Sequence, residues 1–348
     1  MRAFVVTEPG DGAVQQVDPP VADTGEVLVQ VARAGVCGTD VELFTGEMPY
    51  VRQGHSTYPL RLGHEWCGTV SAIGEHVDPR WLGVRVTGDT MLGCGYCRRC
   101  VGGKHWLCED RSEIGIRGRY PGALAEQLVL PATALRQLPD ALDDMAGAMV
   151  EPGGNAFRAV TAARTAAGDR LLVIGLGTIG LLVAMLAKSV GAQVHLTDRS
   201  PQLLEFAGSL DIGPVWTRDE IPELPWDVVI DASNGAAVPA LALDLVEPGG
   251  RVAFVGLAGS PSVLDARSLV LKDISAVGTL GASAGLAGAI SAYACGAVDP
   301  RVLVSATIGL EQVGSVLRGV RPDGAGLGPK IQVLPAAIGA RQPSRATR

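Results

Sequence analysis

Short apolar runs alternate with segments of helical period over the middle of the chain, from about residue 170 to residue 281. Short, continuously apolar runs are typical of strands buried in a parallel sheet. The predicted strands are residues 171–174, 193–198, 226–231, 251–255 and 274–277. Roughly six parallel strands joined by helical crossovers predict a doubly wound α/β sheet.

The chain before this region follows another pattern. Its apolar residues alternate or run together between clusters of Pro, Gly and Asp, as in the strands of an antiparallel, barrel-like region. The strands predicted there are residues 1–6, 26–34, 66–73 and 127–130.

Helix signals and the end of the chain complete the outline. A short helix is predicted after Cys37, a helical stretch after residues 138–140, and a helix capped by Ser200 with Pro201 at its first position. From about Ala282 the alternation is lost, and the segment around Lys330 is expected to return to the first region. We therefore predict one domain from residues 1–152 and 282–348 and a second from residues 153–281, with residues 338–348 disordered.

A glycine-rich turn follows the first strand of the middle region. Gly175 permits the turn, Gly177 lets the backbone approach a pyrophosphate, and Gly180 allows close packing of helix on strand. The helix that begins at Thr178 and Ile179 directs free amide groups and the positive end of its dipole at the phosphates. The turn therefore predicts a dinucleotide site.

The end of the second strand indicates which dinucleotide is bound. Asp198 lies eighteen residues after Gly180, where a carboxylate binds the adenosine ribose hydroxyls. A 2′-phosphate would be repelled there, so NAD is favoured over NADP, although Arg199 could accept that phosphate. Further contacts are expected from loops at the carboxyl edge of the sheet, at Ser233, Val255, Gly256, Leu257, Thr279 and Leu280, and from Lys330.

Four closely spaced cysteines form the most specific signal in the chain. Three lie at intervals of three residues and a fourth lies eight residues further on, namely Cys94, Cys97, Cys100 and Cys108. Four thiolates fill a tetrahedral shell, so the spacing predicts a structural zinc site without catalytic chemistry. An iron–sulfur cluster is the alternative, since four thiolates suit both.

A second, open metal site is predicted nearer the amino terminus. Cys37, His64 and Glu65 supply the sulfur, imidazole and carboxylate of a catalytic zinc site that leaves one position for water or substrate. Asp40 could orient His64. Adjacent residues of a strand face opposite sides, so His64 and Glu65 can share one ion only if the backbone bends. Glu151, just before the dinucleotide region, remains a competing ligand.

Composition limits the classes of partner. The net charge is −7, and no basic cluster is present, so nucleic acid is not expected as a partner. The apolar windows at residues 171–187 and 274–298 are interrupted by glycine or diluted by small residues, and neither is interpreted as membrane-spanning. The amino terminus does not resemble a signal peptide, and the expected location is the cytoplasm.

These motifs together resemble the zinc-containing medium-chain dehydrogenase/reductase family, which includes alcohol, polyol, sugar and threonine dehydrogenases. The resemblance extends over nearly the whole chain in the family's order. The matching segments are GVCGTD at residues 35–40, GHE at residues 63–65, the cysteine lobe, GALAE at residues 122–126 and the glycine-rich turn.

The resemblance implies a GroES-like β-barrel catalytic domain, a Rossmann nucleotide domain, one catalytic and one structural Zn²⁺, and hydride transfer to nicotinamide. It implies that Cys37 and His64 are metal ligands and that Thr39 relays the substrate proton. Two departures point to the polyol and sugar branch: Glu151 stands where alcohol dehydrogenases have a cysteine ligand, and Glu42 stands where many members have a proton-relaying histidine. The expected substrate is a small secondary alcohol of polyol, sugar or cyclitol type.

Other functions are compatible with parts of the pattern. A general alcohol or threonine-type dehydrogenase shares the chemistry, whereas a zinc-free quinone or enone reductase, or an NAD-binding protein without activity, would not require the open metal site. The substrate pocket is expected between residues 44–58, 114–120 and 282–286, with Arg52, His55 and Arg117 as polar candidates. The family implies a homodimer or homotetramer.

Overall fold

The computed structural model describes residues 1–336, so the predicted disorder of residues 338–348 lies outside the described residues. The strands are β1 (Arg2–Glu8), β2 (Asp11–Gln16), β3 (Glu26–Val36), β4 (Leu60–Arg61), β5 (Glu65–Ile73), β6 (Arg85–Gly88), β7 (Met91–Leu92), β8 (Ser112–Glu113), β9 (Gln127–Pro131), β10 (Leu135–Gln137), β11 (Arg170–Ile174), β12 (Gln193–Thr197), β13 (Val215–Trp216), β14 (Trp226–Asp231), β15 (Val246–Phe254), β16 (Ser275–Gly278), β17 (Val304–Gly309) and β18 (Lys330–Leu334). The α-helices are α1 (Gly38–Thr45), α2 (Pro49–Arg52), α3 (Arg98–Val101), α4 (Asp144–Gly147), α5 (Val150–Ala162), α6 (Thr178–Ser189), α7 (Pro201–Ser209), α8 (Val238–Leu245), α9 (Arg267–Leu271), α10 (Leu286–Ala294) and α11 (Val313–Leu317).

The middle of the chain forms a six-stranded sheet in the order β13-β12-β11-β14-β15-β16. All of its pairings are parallel. Its central strand β11 is buried on both faces, with Leu171 and Val173 in one apolar cluster and Leu172 and Ile174 in another. The doubly wound sheet predicted from the sequence is confirmed, and its carboxyl edge carries the glycine-rich turn.

The two ends of the chain meet in a second, mixed sheet in the order β10-β6-β5-β3-β18-β17, with β9 also paired to β3. The long strand β3 runs antiparallel to β5 and to β18, and Ile331 lies opposite Val36. The predicted return of the segment around Lys330 is therefore observed. This return brings Lys330, at the start of β18, to the end of β3 where Cys37 follows.

Residues 282–303 pack against the parallel sheet's helices. Leu286, Ala289 and Tyr293 are buried in the same apolar cluster as α5 and α6. The start of α10 approaches α5 closely, since a Cβ on Gly285 would lie 2.0 Å from the carbonyl oxygen of Gly154. This packing joins the segment after residue 282 to the core of the dinucleotide sheet, whereas the domain limits given above remain a prediction.

Local signals explain several element boundaries. Ser200 accepts a hydrogen bond from the Leu203 amide and caps α7, as predicted. Helix α5 was not predicted, because Pro152, Gly153 and Gly154 fall in its first turns and obscure the helical period. None of the helices within residues 1–336 is both long and apolar enough to cross a bilayer.

Candidate active site

Cys37 lies at the junction of β3 and α1. It is the residue before the first turn of α1, and its backbone amide donates to the Asp40 carboxylate (2.9 Å). The same carboxylate, which is fully buried, accepts from the Gly63 amide (3.1 Å). Asp40 therefore fixes the loop that carries His64 relative to the thiol of Cys37. Its Oδ1 lies 3.5 Å from Nδ1 of His64. At this distance Asp40 orients the imidazole ring by its charge and not through a short hydrogen bond.

The chain bends between His64 and Glu65 as required for both to face one point. Gly63 has a φ of 101°, a conformation that side chains disfavour, and β5 begins only at Glu65. The Glu65 carboxylate lies over Gly35, where an added Cβ would be 2.0 Å from Oε2. Gly35 of the GVCGTD segment thus provides the space that the carboxylate occupies.

These residues form a compact set of metal-binding atoms. Within residues 1–336, one ligand atom from each of Cys37, His64 and Glu65 lies within 4.8 Å of the others. Burial alone would lower the pKa of His64, but Asp40 and Cys37 raise it well above its usual value. The surroundings of the imidazole therefore favour positive charge even in a desolvated position. A thiolate, an imidazole and a carboxylate in surroundings that favour positive charge fit a divalent zinc ion.

Glu65 is also held by Lys330. The Nζ atom of Lys330 lies 2.6 and 2.8 Å from the two carboxylate oxygens and donates to the Val36 carbonyl (2.9 Å). Both side chains are at most 3% exposed. Burial would lower the pKa of Lys330, but Glu65 and Cys37 raise it above its ordinary value. The structure thus places Lys330 beside the metal-binding set, and its expected contact with the cofactor stays a prediction.

Glu151 lies in the first turn of α5 and is buried. Burial raises the pKa of its carboxyl to about 7, partly offset by His64, and Nδ2 of Asn155 donates to Oε1 (3.0 Å). Glu151 does not belong to the compact set of ligand atoms found within residues 1–336. It lies near that set as an acid that is readily protonated. The contact with Asn155 was missed, although a spacing of four residues on a helix is a detectable signal.

Thr39 and Glu42 lie on α1, immediately after Cys37. Both are partly buried. Burial, reinforced by Glu47, raises the pKa of Glu42. After the first metal ligand, α1 therefore carries the Thr39 hydroxyl and the Glu42 carboxyl. The proton affinity of the Glu42 carboxyl is increased.

The four cysteines of the predicted structural site come together. Cys94 and Cys100 have sulfurs 3.9 Å apart, as do Cys97 and Cys108. A tetrahedral ion with zinc–sulfur bonds of about 2.3 Å would separate its ligands by about 3.8 Å. The Cys97 amide donates to the Cys94 sulfur (3.4 Å), and backbone amides, chiefly that of Tyr96, lower the pKa of Cys94 to about 7. The lobe fits a zinc ion bound by four thiolates.

The glycine-rich turn has the geometry of a dinucleotide site. Gly175 has a φ of 97°, and a Cβ on Gly180 would lie 1.8 Å from the Gly175 carbonyl oxygen. Around Gly177, by contrast, a Cβ would have no neighbour within 4 Å, which leaves the approach to α6 open. Asp198 accepts hydrogen bonds from the Leu176 and Ser200 amides (2.7 and 2.8 Å), and Arg199 is exposed.

Known families match both parts of the chain. Residues 23–140 match the alcohol dehydrogenase GroES-like domain, and residues 178–294 match the zinc-binding dehydrogenase domain. An L-threonine 3-dehydrogenase of Anaeromyxobacter sp. (strain K) is 32% identical over 81% of this chain and 84% of its own. The chain belongs to the zinc-containing medium-chain dehydrogenase family. A sorbitol dehydrogenase of Halalkalibacterium halodurans is also 32% identical, over 80% of this chain and 84% of its own.

Solved structures share the whole fold. A short chain alcohol dehydrogenase of Escherichia coli CFT073, complexed with NADH, has a TM-score of 0.86 and 25% identity over 96% of this chain and 99% of its own. A Sinorhizobium meliloti 1021 protein bound to NADP has a TM-score of 0.85 and 28% identity over the same shares of the two chains. This medium-chain dehydrogenase is therefore a zinc-dependent enzyme that acts on an alcohol CH–OH group with a nicotinamide cofactor.

A cavity of about 380 Å³ lies at the carboxyl edge of the dehydrogenase's parallel sheet. Its lining includes Ser233, Gly256 and Leu257, which were expected to contact the cofactor. It also includes Pro49 of α2 and residues 258–262, which sequence reasoning missed because they follow no strand of that sheet directly. Val255, Thr279 and Leu280 lie in the adjoining loops after β15 and β16.

Two of the three predicted substrate-pocket segments pack against each other. Ser56 donates to the Ile116 carbonyl (2.6 Å), Arg117 lies 5.1 Å above the Tyr50 ring, and His55 meets the same ring edge-on. Arg52 is exposed at the end of α2. The third segment, residues 282–286, is largely buried against α5.

Proposed function

We propose that this enzyme transfers a hydride between a secondary alcohol of polyol, sugar or cyclitol type and NAD. The observation that carries the proposal is the compact set of Cys37, His64 and Glu65, of which His64 and Glu65 are buried. It combines one thiol, one imidazole and one carboxylate in a fold whose parallel sheet carries a dinucleotide turn. An open set of three protein ligands is the arrangement of catalytic zinc sites.

Each side chain of the centre has a proposed task. Cys37 and His64 hold the ion, with Glu65 or Glu151 as the third ligand. Zinc, when bound, lowers the pKa of a coordinated hydroxyl and so favours loss of hydride to nicotinamide. Thr39 accepts a hydrogen bond from the substrate hydroxyl and, as it takes up that proton, passes its own proton towards ribose or water, with Glu42 as a carrier on the way. Lys330 holds the Glu65 carboxylate beside the ligands and compensates its buried charge (2.6 Å).

The preference for NAD rests on Asp198. Its carboxylate is fixed at the end of β12 by two backbone amides, where it would bind ribose hydroxyls and repel a 2′-phosphate. Arg199 offers the opposite preference, and the two similar structures contain NADH in one case and NADP in the other. We expect the fixed carboxylate to outweigh the exposed arginine.

L-threonine is the second candidate substrate, because the Anaeromyxobacter relative bears the name L-threonine 3-dehydrogenase. The metal-binding set and the family matches oppose a zinc-free reductase and a protein without activity. Threonine and polyols both present a secondary hydroxyl beside polar groups, so the same centre would serve either.

A substrate panel tests the proposal. Wild-type enzyme, a Cys37→Ala variant and a Cys295→Ala control would be mixed with NAD and sugars, cyclitols, polyols, simple secondary alcohols or threonine, with NADH formation followed by absorbance. We expect turnover by the wild type and by the control, whose cysteine is exposed and outside both metal-binding sets. Turnover by Cys37→Ala at the wild-type rate would refute the assignment, and turnover restricted to threonine would select the second candidate.

We also propose a homo-oligomer formed through β16, and a cytoplasmic location. β16 is an edge strand of the parallel sheet, and Val270 and Leu271 beside it are 80% and 82% exposed. An unpaired edge with apolar neighbours favours pairing with the same edge of a second copy. Leu271→Glu should therefore reduce the mass measured by light scattering, and an unchanged mass would refute this interface.

The proposed cytoplasmic location rests on the zinc-binding thiols. They are free, and free thiols favour a reducing compartment.

A further inference from the structure

We propose that His105 and Trp106 of the cysteine lobe are positioning residues for the cofactor, because each supports the loop that follows β16. The proposal rests on the proposed function. It gives the lobe, residues 94–108, a part in NAD binding in addition to its own stability. The loop concerned is residues 279–283, at the carboxyl edge of the sixth strand of the dinucleotide sheet.

The first contact runs through Asp89. His105 Nε2 lies 2.7 Å from Oδ2 of Asp89, which is buried just before β7. The other oxygen of Asp89 accepts from the Ser283 hydroxyl (2.8 Å) and from the Met91 amide (3.0 Å). One buried carboxylate thus connects the lobe to the loop.

The second contact runs through Arg158. Its guanidinium lies 5.0 Å from the centre of the Trp106 ring and donates to the carbonyl oxygens of Leu280 and Gly281. A cation over an indole face is an attractive arrangement, and the ring holds the guanidinium in the orientation that reaches both carbonyls. Arg158 belongs to α5, so this contact is independent of Asp89.

The loop also packs closely against β7 at Gly281. Gly281 has a φ of 72°, and a Cβ there would lie 2.6 Å from the terminal methyl of Met91. Met91 belongs to β7, which leads into the lobe. Three separate contacts therefore fix residues 280–283 from the lobe side.

The position of this loop indicates its effect. In a doubly wound sheet the dinucleotide lies across the carboxyl ends of the strands, and strands four to six support its second half. Here these are β14, β15 and β16, which places Thr279 and Leu280 on the nicotinamide side. Releasing the loop should therefore weaken binding of the dinucleotide more than it slows the chemical step.

Three variants test the proposal without touching a cysteine ligand. Trp106→Leu and Arg158→Met break the second contact, and Ser283→Ala breaks the first while leaving Asp89 bound to His105. Val101→Ala and Arg99→Met are matched controls on the lobe: Val101 is 75% exposed, and the ion pair that Arg99 forms within residues 1–336 is with the exposed Glu109. NADH affinity is measured by calorimetry, zinc content by mass spectrometry, and KM for NAD separately from kcat.

We expect Arg158→Met and Trp106→Leu each to weaken NADH binding about tenfold and Ser283→Ala about threefold, the order of one cation–π contact and one hydrogen bond. KM for NAD should rise accordingly while kcat, zinc content and the controls stay at the wild-type level. The double variant Trp106→Leu/Arg158→Met should bind no more weakly than the weaker single variant, since both act through one contact.

Unchanged NADH affinity in Arg158→Met and Trp106→Leu would overturn the proposal, as would loss of affinity that appears only together with loss of zinc. A wild-type enzyme that binds NADH and oxidises an alcohol normally in that experiment would leave the proposed function intact. A wild-type enzyme that binds no NADH would refute the proposed function and this inference together.

Discussion

Glu65 has two roles open to it, as a ligand beside Cys37 and His64 and as the partner of Lys330. The three candidate ligands could be predicted because their residue types and the short motifs around them are visible in sequence. The lysine could not be assigned to Glu65, because the two lie 265 positions apart and meet only when β18 pairs with β3. Residue types therefore revealed the metal chemistry, whereas the charge that balances it depends on the return of the chain.

Removal of the Lys330 ammonium should destabilise the protein strongly. Lys330→Met leaves the Glu65 carboxylate buried without its partner, so we expect the free energy of unfolding to fall by about 3 kcal/mol. Urea denaturation measures this change, with Lys104→Met, at an exposed position, as the control. Equal stability of the two variants would show that Glu65 does not depend on Lys330.

Asp198 should determine the choice of dinucleotide. A carboxylate about 4 Å from a phosphate costs about 1 kcal/mol even in water, so Asp198→Ala should lower the ratio of kcat/KM for NAD to that for NADP about fivefold or more. Steady-state kinetics with both cofactors measures the ratio, and Asp219→Ala, at an exposed position, serves as the control. An unaltered ratio would show that another residue determines the preference for NAD.

At the scale of elements, strands were more predictable than the helices between the two sheets. β14 spans the predicted residues 226–231, because a buried apolar run bounded by Pro and Asp leaves few alternatives. α5 escaped prediction, since its glycines serve close packing: a Cβ on Gly153 would lie 2.1 Å from the Tyr293 hydroxyl. Where packing against a neighbour distant in sequence determines the residues of an element, the local sequence pattern does not predict that element reliably.

Two glycines of the dinucleotide turn should separate binding from stability. A Cβ on Gly180 would lie 1.8 Å from the Gly175 oxygen, so Gly180→Ala forces α6 away from β11. This should cost about 1–3 kcal/mol of stability, more than the gain of about 1 kcal/mol in helix propensity, and should also weaken NADH binding.

Gly177→Ala should have the opposite profile. Its φ of −67° suits alanine, and no atom lies within 4 Å of the added Cβ, so the free energy of unfolding should stay within about 0.5 kcal/mol of wild type. The methyl group would face the approaching pyrophosphate, so NADH affinity should fall at least about tenfold. Thermal unfolding and calorimetry on the pair measure both quantities; equal NADH affinity of Gly177→Ala and wild type would contradict the turn's role.

At the scale of the whole molecule, the site depends on how separate parts of the chain converge. The doubly wound sheet and the four-cysteine lobe could be predicted, because each is encoded within a continuous stretch. The convergence of β3, β5 and β18 around Glu65, and of α5 and α10 beneath the cofactor loop, follows from pairing and packing between distant segments. Those tertiary contacts convert a list of candidate residues into an active centre.

Zinc stoichiometry determines whether Cys37 and His64 hold a catalytic ion distinct from the ion of the lobe. Metal analysis of purified protein should give two zinc ions per wild-type chain, and one each for Cys37→Ala and Cys97→Ser. Cys37→Ala should still bind NADH but should not oxidise any alcohol. A fully active wild type that held only the zinc of the lobe would show that Cys37 and His64 hold no catalytic ion, as would a Cys37→Ala variant that retained both ions and its turnover.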